Sequence, residues 1–135
     1  IPLLGGDILV DSAMGWSVGS GDQLAVIIAK ELVAKRLIFA SDVSGIYETD
    51  PKLKSDSARI DTINLNDLDE ALQRMGASGI DDASGAMKGK IKAIAPAKPL
   101  IERGLEVGLL SMMNYGNLKA FLSNEDCQCT RVIVE

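Results

Sequence analysis

Residues 38–51 read IFASDVSGIYETDP, and this segment decides the fold. It begins with an apolar run that stops abruptly at Ser41 and Asp42, and Gly45 and an Asp-Pro pair follow. Nearly continuous apolar runs are typical of strands that a parallel sheet buries on both faces. Open parallel sheets bind ligands beyond the carboxyl ends of their strands, so the segment predicts a strand that opens into a ligand-binding loop.

Strand and helix patterns alternate on both sides of this segment. Residues 23–34 carry apolar side chains at helical spacing, and a longer helix is predicted from Gly85 towards Gly104. Pro96 and Pro99 predict a kink or a break in it, because each removes a backbone hydrogen bond. Further strands are predicted at residues 1–4, 8–10, 15–18, 60–65, 105–112 and 130–134, shorter helices at 66–75 and 116–122, and loops at 48–59 and 76–84. The alternation predicts an α/β fold, a largely parallel sheet with flanking helices.

The composition indicates one folded domain of 135 residues, with 47% apolar and 24% charged residues. The net charge is -5 and no stretch is dominated by basic residues, which argues against nucleic-acid binding. The sequence has no apolar run of about 18 residues, the length that a membrane span requires. We therefore predict neither a nucleic-acid partner nor a membrane partner.

Histidine is absent, and this excludes whole classes of active site. A Ser-His-Asp hydrolase and a histidine-ligated zinc site cannot be built from this chain alone, and no metal ligands are predicted within it. The two cysteines, Cys127 and Cys129, would share one face of a strand, where a disulfide would be strained. They are interpreted as structural thiols in a reducing cytosol, which predicts a cytoplasmic protein.

Three glycine-containing segments have the composition of phosphate-binding loops, which present backbone N–H groups at helix starts. The first is Ser20-Gly21-Asp22, for which an ordinary helix N-cap is the alternative interpretation. The second is residues 41–45, which could equally form a turn in which the Asp42 and Ser44 side chains satisfy local amides. The third is residues 84–90, where two lysines suit a polyphosphate but also suit a capped helix with solvated side chains.

In this order the segments resemble the carboxyl-terminal half of the amino acid kinase superfamily, and most of all its archaeal-type isopentenyl phosphate kinases. The resemblance covers nearly the whole chain. It is carried by the stretches Ile1-Pro2-Leu3-Leu4, Gly6-Asp7-Ile8, Ser20-Gly21-Asp22-Gln23-Leu24, Ala29-Lys30-Glu31-Leu32, residues 38–47, Asp50-Pro51, residues 84–90 and Gly116-Asn117-Leu118. The segments at Gly21 and Asp42 are the most specific for the superfamily.

The resemblance implies a role for each segment. The acceptor phosphate would face Ser20, Gly21 and Asp22. ATP would be bound by Ser41, Asp42, Gly45 and Tyr47. The nucleotide would also meet Gly85 and Ala86, and its phosphates would be reached by the catalytic residue, Lys90. Ala86 stands where relatives usually have a second glycine, and its methyl group would crowd a close phosphate approach.

The implied activity is ATP-dependent phosphoryl transfer, with Mg2+ accompanying ATP, to a small phosphomonoester such as isopentenyl phosphate. Residues 1–135 would form the nucleotide-binding half of a domain whose amino-terminal, acceptor-binding half is missing here, and the parent enzyme would be a homodimer. The chain starts inside a predicted strand, which fits a fragment. Three alternatives stay open: a superfamily kinase with fosfomycin, uridylate or an amino acid as acceptor, a non-catalytic nucleotide-binding module, and a structural fragment.

Overall fold

The computed structural model describes residues 3–75 and 81–135, which contain eight strands and five α-helices. In chain order these are β1 (Asp7–Asp11), β2 (Gly15–Gly19), α1 (Gly21–Glu31), β3 (Arg36–Ser41), β4 (Ile46–Tyr47), β5 (Arg59–Ile60), β6 (Thr62–Asn64), α2 (Leu68–Arg74), α3 (Asp81–Ile94), α4 (Lys98–Ile101), β7 (Glu106–Ser111), α5 (Asn117–Leu122) and β8 (Cys129–Ile133). Short 3-10 helices, Leu65–Asp67 and Ala95–Ala97, precede α2 and α4. None of the helices in the two described ranges combines the length and the apolar character that crossing a membrane requires.

A four-stranded sheet in the order β3-β7-β8-β6 forms the centre of the fold. The pairs β3–β7 and β6–β8 are parallel, whereas β7 and β8 are antiparallel. Most of the sheet is therefore parallel, which confirms the predicted α/β class. In the β3–β7 register Ser41 lies opposite Ser111, so both strands end at the same edge and the loops that follow them are neighbours.

Side chains on β3 and β7 alternate between two hydrophobic clusters, as the period of a strand requires. Phe39 and Leu109 belong to the main core, which also contains buried residues of α1 and α3. On the other face, Leu110 packs with Phe121 of α5. A Cβ atom on Gly108 would lie 2.4 Å from the Phe121 ring, so the glycine is what lets α5 approach the sheet this closely.

Two small antiparallel ribbons complete the fold. Both strands of the hairpin β1–β2 were predicted, although their pairing was not. The Asp11 carboxylate fixes the turn by accepting the N–H groups of Met14 and Ala13 at 3.0 and 2.8 Å. These bonds, that from Met14 most strongly, lower the pKa of the Asp11 carboxyl. The second ribbon pairs β4 with β5, and the sequence did not predict it because each strand has only two residues.

Two predictions near the amino terminus are corrected. Leu3 and Leu4 form no strand and are largely exposed, while residues 1 and 2 lie outside the described part of the chain. The helix predicted to reach residue 34 ends at Glu31. The reason is local, since Val33 has a φ of 49° and the N–H of Ala34 bonds back to the Ala29 carbonyl at 2.9 Å.

The predicted long helix is interrupted where its prolines lie. Helix α3 ends at Ile94, the 3-10 turn contains Pro96, and Pro99 lies in the short helix α4, so the predicted break is confirmed. The start of α3 was predicted wrongly, because it begins at Asp81 rather than near Gly85. The predicted loop at residues 76–84 is therefore wrong for 81–84, and its other positions, 76–80, lie outside the described residues.

Candidate functional site

Helix α3, which contains the third predicted segment, is linked to each of the other two. The Lys90 ammonium donates to the Asp22 carboxylate at 2.7 Å, which joins α3 to the first turn of α1. One helical turn before Lys90, Met87 lines a cleft that Asp42 also lines. Helix α3 thus contacts Asp22 through Lys90 and lines the cleft at Asp42 through Met87.

Lys90 is held in place by two kinds of contact. Its side chain is 20% exposed and that of Asp22 is 31% exposed, so their ion pair is partly shielded from solvent. The ammonium also lies 5.1 Å from the centroid of the Phe39 ring, a distance at which a cation is attracted to the ring face. An ammonium has three donors, so the contact with Asp22 leaves it able to bind a phosphate oxygen.

The start of α1 leaves its first amides available. Ser20 occupies the N-cap position, but its hydroxyl accepts no capping hydrogen bond, so the predicted side-chain cap is not formed. A Cβ on Gly6 would lie 2.4 Å from the Gly19 carbonyl oxygen and 3.0 Å from the Gly21 nitrogen. The Gly6 backbone therefore packs directly against the turn that leads from β2 into α1. The N–H groups at a helix start are unpaired within the helix and suit an anion.

Ser41 shapes the loop that follows β3. Its hydroxyl donates to the Val43 carbonyl at 2.8 Å and accepts the Val43 N–H at 3.1 Å. Ser111, its neighbour across the register, accepts the N–H of Met113 in the same way, and the Met112 N–H bonds the Ser41 carbonyl at 3.2 Å. The segment therefore forms a turn stabilised by the Ser41 side chain, which the turn interpretation had not named, and the contact of Ser41 with a nucleotide stays a prediction.

Asp42 extends from this loop into solvent and pairs with Lys52, a residue that sequence reasoning did not identify. The hydrogen bond from Lys52 lowers the pKa of the Asp42 carboxyl, and the same bond raises the pKa of the Lys52 ammonium. Asp42 therefore stays ionised to a lower pH than a free aspartate. Both side chains are 64% exposed, so this ion pair contributes little to stability. Either side chain can leave its partner and bind a ligand at the cleft.

Gly45 adopts a backbone conformation that the fold requires. Its φ is 132°, and a Cβ there would lie 2.5 Å from the Thr130 hydroxyl oxygen. Buried Thr130 accepts the Ile46 N–H at 2.8 Å and donates to the Ile60 carbonyl at 2.6 Å, which fixes the β4–β5 ribbon on β8. Tyr47 is thereby positioned on the wall of the cleft. No sequence signal identified Thr130, because its partners are remote in the chain.

The cleft has a volume of about 210 Å3 and a largely apolar wall. Its lining residues are Asp42, Val43, Gly45, Tyr47, Glu48, Thr49, Asp50, Pro51, Lys52, Met75 and Met87. Pockets that enclose a drug-sized ligand measure about 300–1,000 Å3, so this cleft can take one apolar or aromatic part of a larger molecule. The lining carries three acidic residues, Asp42, Glu48 and Asp50, and one basic residue, Lys52, which pairs with Asp42. The methionine side chains adapt readily to a flat ligand.

The third predicted segment has a different structure from the one expected. Residues 84–90 lie inside α3, so Gly85 and Ala86 belong to a helix interior and not to a glycine-rich turn at a helix start. The prediction overestimated the tendency of these glycines to end a helix. It also did not use a signal in the sequence, since acidic residues such as Asp81 and Asp82 favour the first turn of a helix. Of this segment, Lys90 contacts the first segment through Asp22, and Met87 lines the cleft that the second segment also lines.

The sequence profile described as the amino acid kinase family matches residues 1–101. The chain belongs to the amino acid kinase family. An isopentenyl phosphate kinase of Methanothermobacter thermautotrophicus is 32% identical over 135 residues, which cover 98% of this chain and 48% of that protein. A glutamate 5-kinase of Carboxydothermus hydrogenoformans is 32% identical over 108 residues, covering 80% of this chain and 28% of that protein.

A solved structure of an isopentenyl phosphate kinase superposes with a TM-score of 0.65 at 29% identity, and the match covers 94% of this chain and 43% of that one. The predicted family membership is thus confirmed by sequence and by fold. The chain spans less than half the length of each of these three amino acid kinase relatives.

Proposed function

We propose that this chain supplies the nucleotide side of an ATP-dependent kinase that phosphorylates a small phosphomonoester, isopentenyl phosphate. The observation that carries the proposal is the partly shielded Lys90–Asp22 ion pair, one helical turn from the apolar cleft at Asp42 and Gly45. The relative whose match covers 98% of this chain is an isopentenyl phosphate kinase, which supports this acceptor over others.

The parts of the site suit the parts of ATP. The apolar wall formed by Tyr47, Met75 and Met87 suits the flat base. The uncapped start of α1 and the Lys90 ammonium suit the negatively charged phosphates, as amide donors and as a charge. Lys90 would act as the catalytic residue by neutralising charge that develops on the transferred group, and Asp22 would act as a positioning residue for Lys90.

The chemistry requires no general base from this chain. A phosphomonoester loses its second proton with a pKa near 6, so the acceptor is largely a dianion at neutral pH and is already nucleophilic. Positioning and charge neutralisation then account for catalysis. Mg2+ would accompany ATP, because this ion usually binds through substrate phosphates and one or two carboxylates.

The rest of the proposal concerns the longer protein. Residues 1–135 would form the nucleotide-binding half, with Ser20, Gly21 and Asp22 at the junction with the acceptor. The acceptor-binding half would come from chain outside this sequence, as the longer relatives suggest. We further propose that the parent enzyme is a cytoplasmic homodimer.

An acceptor panel tests this function. The protein that carries this sequence is incubated with MgATP and, separately, isopentenyl phosphate, uridylate, glutamate or no acceptor, and ADP release is followed. We expect kcat/KM for isopentenyl phosphate to exceed that for glutamate by at least about a hundredfold, since a site built for a phosphomonoester rejects molecules lacking that group. It should also exceed that for uridylate, which has the phosphate but a much larger and more polar remainder. A preference for glutamate or uridylate would mean that this molecule, and not isopentenyl phosphate, is the acceptor. Nucleotide binding without any transfer would favour the non-catalytic module.

A further inference from the structure

Two free thiols lie in contact where β8 begins. The Sγ atoms of Cys127 and Cys129 are 3.2 Å apart, and a disulfide requires about 2.05 Å, so a small approach would join them. The strain predicted for a disulfide at this spacing assumed that both cysteines lie in one strand, whereas Cys127 precedes β8 and the chain bends at Gln128. The bend turns the two side chains towards each other, which an extended strand would not do.

The bend is held from both sides by a single buried side chain. Asn117, at the start of α5, donates its amide to the Gln128 carbonyl at 2.8 Å and accepts the Gln128 N–H at 3.0 Å. Asn117 is only 5% exposed, so these bonds do not compete with water. The fold therefore holds the two thiols in contact with each other.

The two thiols differ in access. Cys127 is half-buried and Cys129 is 5% exposed. Burial raises the pKa of the Cys129 thiol to about 11, which makes it a poor nucleophile towards reagents in solution. Cys127 is thus the thiol that meets an external reagent, and Cys129 can reach a sulfur only when that sulfur is on Cys127.

The thiol pair is connected to the cleft through Thr130 and the β4–β5 ribbon. Cys129 precedes Thr130, whose hydroxyl bonds both strands of the β4–β5 ribbon. The ribbon carries Gly45 and Tyr47 to the cleft wall. Because Cys129 and Thr130 are adjacent in β8, a displacement of Cys129 would act on the hydrogen bond from the Ile46 N–H to Thr130.

We propose that Cys127 and Cys129 form a redox modification site, which closes to an intramolecular disulfide on reaction with a low-molecular-weight disulfide and thereby loosens the β4–β5 ribbon. The Cys127 thiolate attacks one sulfur of the reagent and expels one thiolate. Cys129 then attacks the Cys127 sulfur of the mixed disulfide and expels the second. The protein loses two electrons and two protons, and the reagent gains both as two thiols.

The test uses 2-hydroxyethyl disulfide, a neutral reagent, because exposed Glu125 and Asp126 directly precede Cys127 and repel anions. The folded chain is incubated with this reagent, the reaction is quenched with acid, and the mass of the intact protein is measured by mass spectrometry. We expect the wild type to lose about 2 Da without gaining an adduct. Cys129→Ser should keep one mercaptoethanol adduct on Cys127, and Cys127→Ser should remain unmodified over the same time. Adducts on the wild type without the internal disulfide would overturn the site.

Hydrogen exchange tests the link to the ribbon and does not depend on the proposed kinase activity. In the oxidised chain the Ile46 amide should exchange about tenfold faster than in the reduced chain, the effect of losing one hydrogen bond. The Leu24 amide, which bonds the Ser20 carbonyl at 3.0 Å in α1, is the internal control and should not change. Unchanged exchange at Ile46 after the disulfide has formed would overturn the coupling.

Discussion

Replacing Lys90 with methionine is expected to lower kcat for phosphoryl transfer by between about tenfold and a hundredfold in the protein that carries this sequence. One charge-assisted hydrogen bond is worth about 1.5–3 kcal/mol, and this contact would be strongest in the transition state. Methionine keeps the apolar stem beside Phe39 and removes only the charge. Steady-state rates at several ATP concentrations separate the effect on kcat from that on KM.

The matched control is Lys92→Met, since Lys92 is exposed on the same helix and undergoes the same chemical change. Its rate should stay within about twofold of the wild type, as expected for a surface substitution. Asp22→Asn tests the positioning role. If Asp22 acts through Lys90, the double variant with Lys90→Met should be no slower than Lys90→Met alone. Full activity of Lys90→Met would remove this residue from the mechanism.

Replacing Gly45 with alanine is expected to lower the free energy of unfolding by about 3–5 kcal/mol. Two causes combine, because alanine rarely adopts a φ of 132° and its Cβ would lie 2.5 Å from the Thr130 hydroxyl and 2.9 Å from the Thr130 nitrogen. The neighbouring atoms belong to the buried start of β8 and cannot move aside like the end of a flexible side chain. Urea denaturation of the isolated chain measures the loss.

A second glycine separates the two causes. Gly104 also has a positive φ, 101°, but a Cβ there would meet nothing within 4 Å. Gly104→Ala should therefore cost only about 1–2 kcal/mol, from the backbone term alone. Equal losses at Gly45 and Gly104 would mean that the contact with Thr130 does not limit stability.

The parts of the fold that the sequence predicted are those set by local patterns. The apolar run before Ser41 gave β3, the alternation of strands and helices gave the α/β class, and Pro96 and Pro99 gave the break after α3. Each of these follows from side chains within a few residues of one another. Errors in element ends, such as those at Val33 and Asp81, arose where one or two residues outweigh the pattern.

The candidate site was predicted residue by residue, but its contacts were not. Asp22 and Lys90 were assigned to separate groups, whereas the fold joins them across 68 positions. Lys52 follows a proline in a polar loop, and nothing in its neighbourhood in the sequence indicates a partner at Asp42. Thr130 looked like an ordinary strand residue. Contacts between distant segments depend on how the sheet is ordered, and no single-sequence pattern encodes that order.

The central claim is that the start of α1, the loop after β3 and the Lys90 face of α3 together bind a nucleoside triphosphate. Amide chemical-shift mapping with MgATP on the isotope-labelled protein tests it most directly. We predict that the largest shifts fall on Gly21, Asp22, Asp42, Gly45 and Lys90. Saturating millimolar MgATP that left these amides unmoved, or that shifted only the separate polar cleft at Asn64, Asp67 and Arg74, would contradict the account.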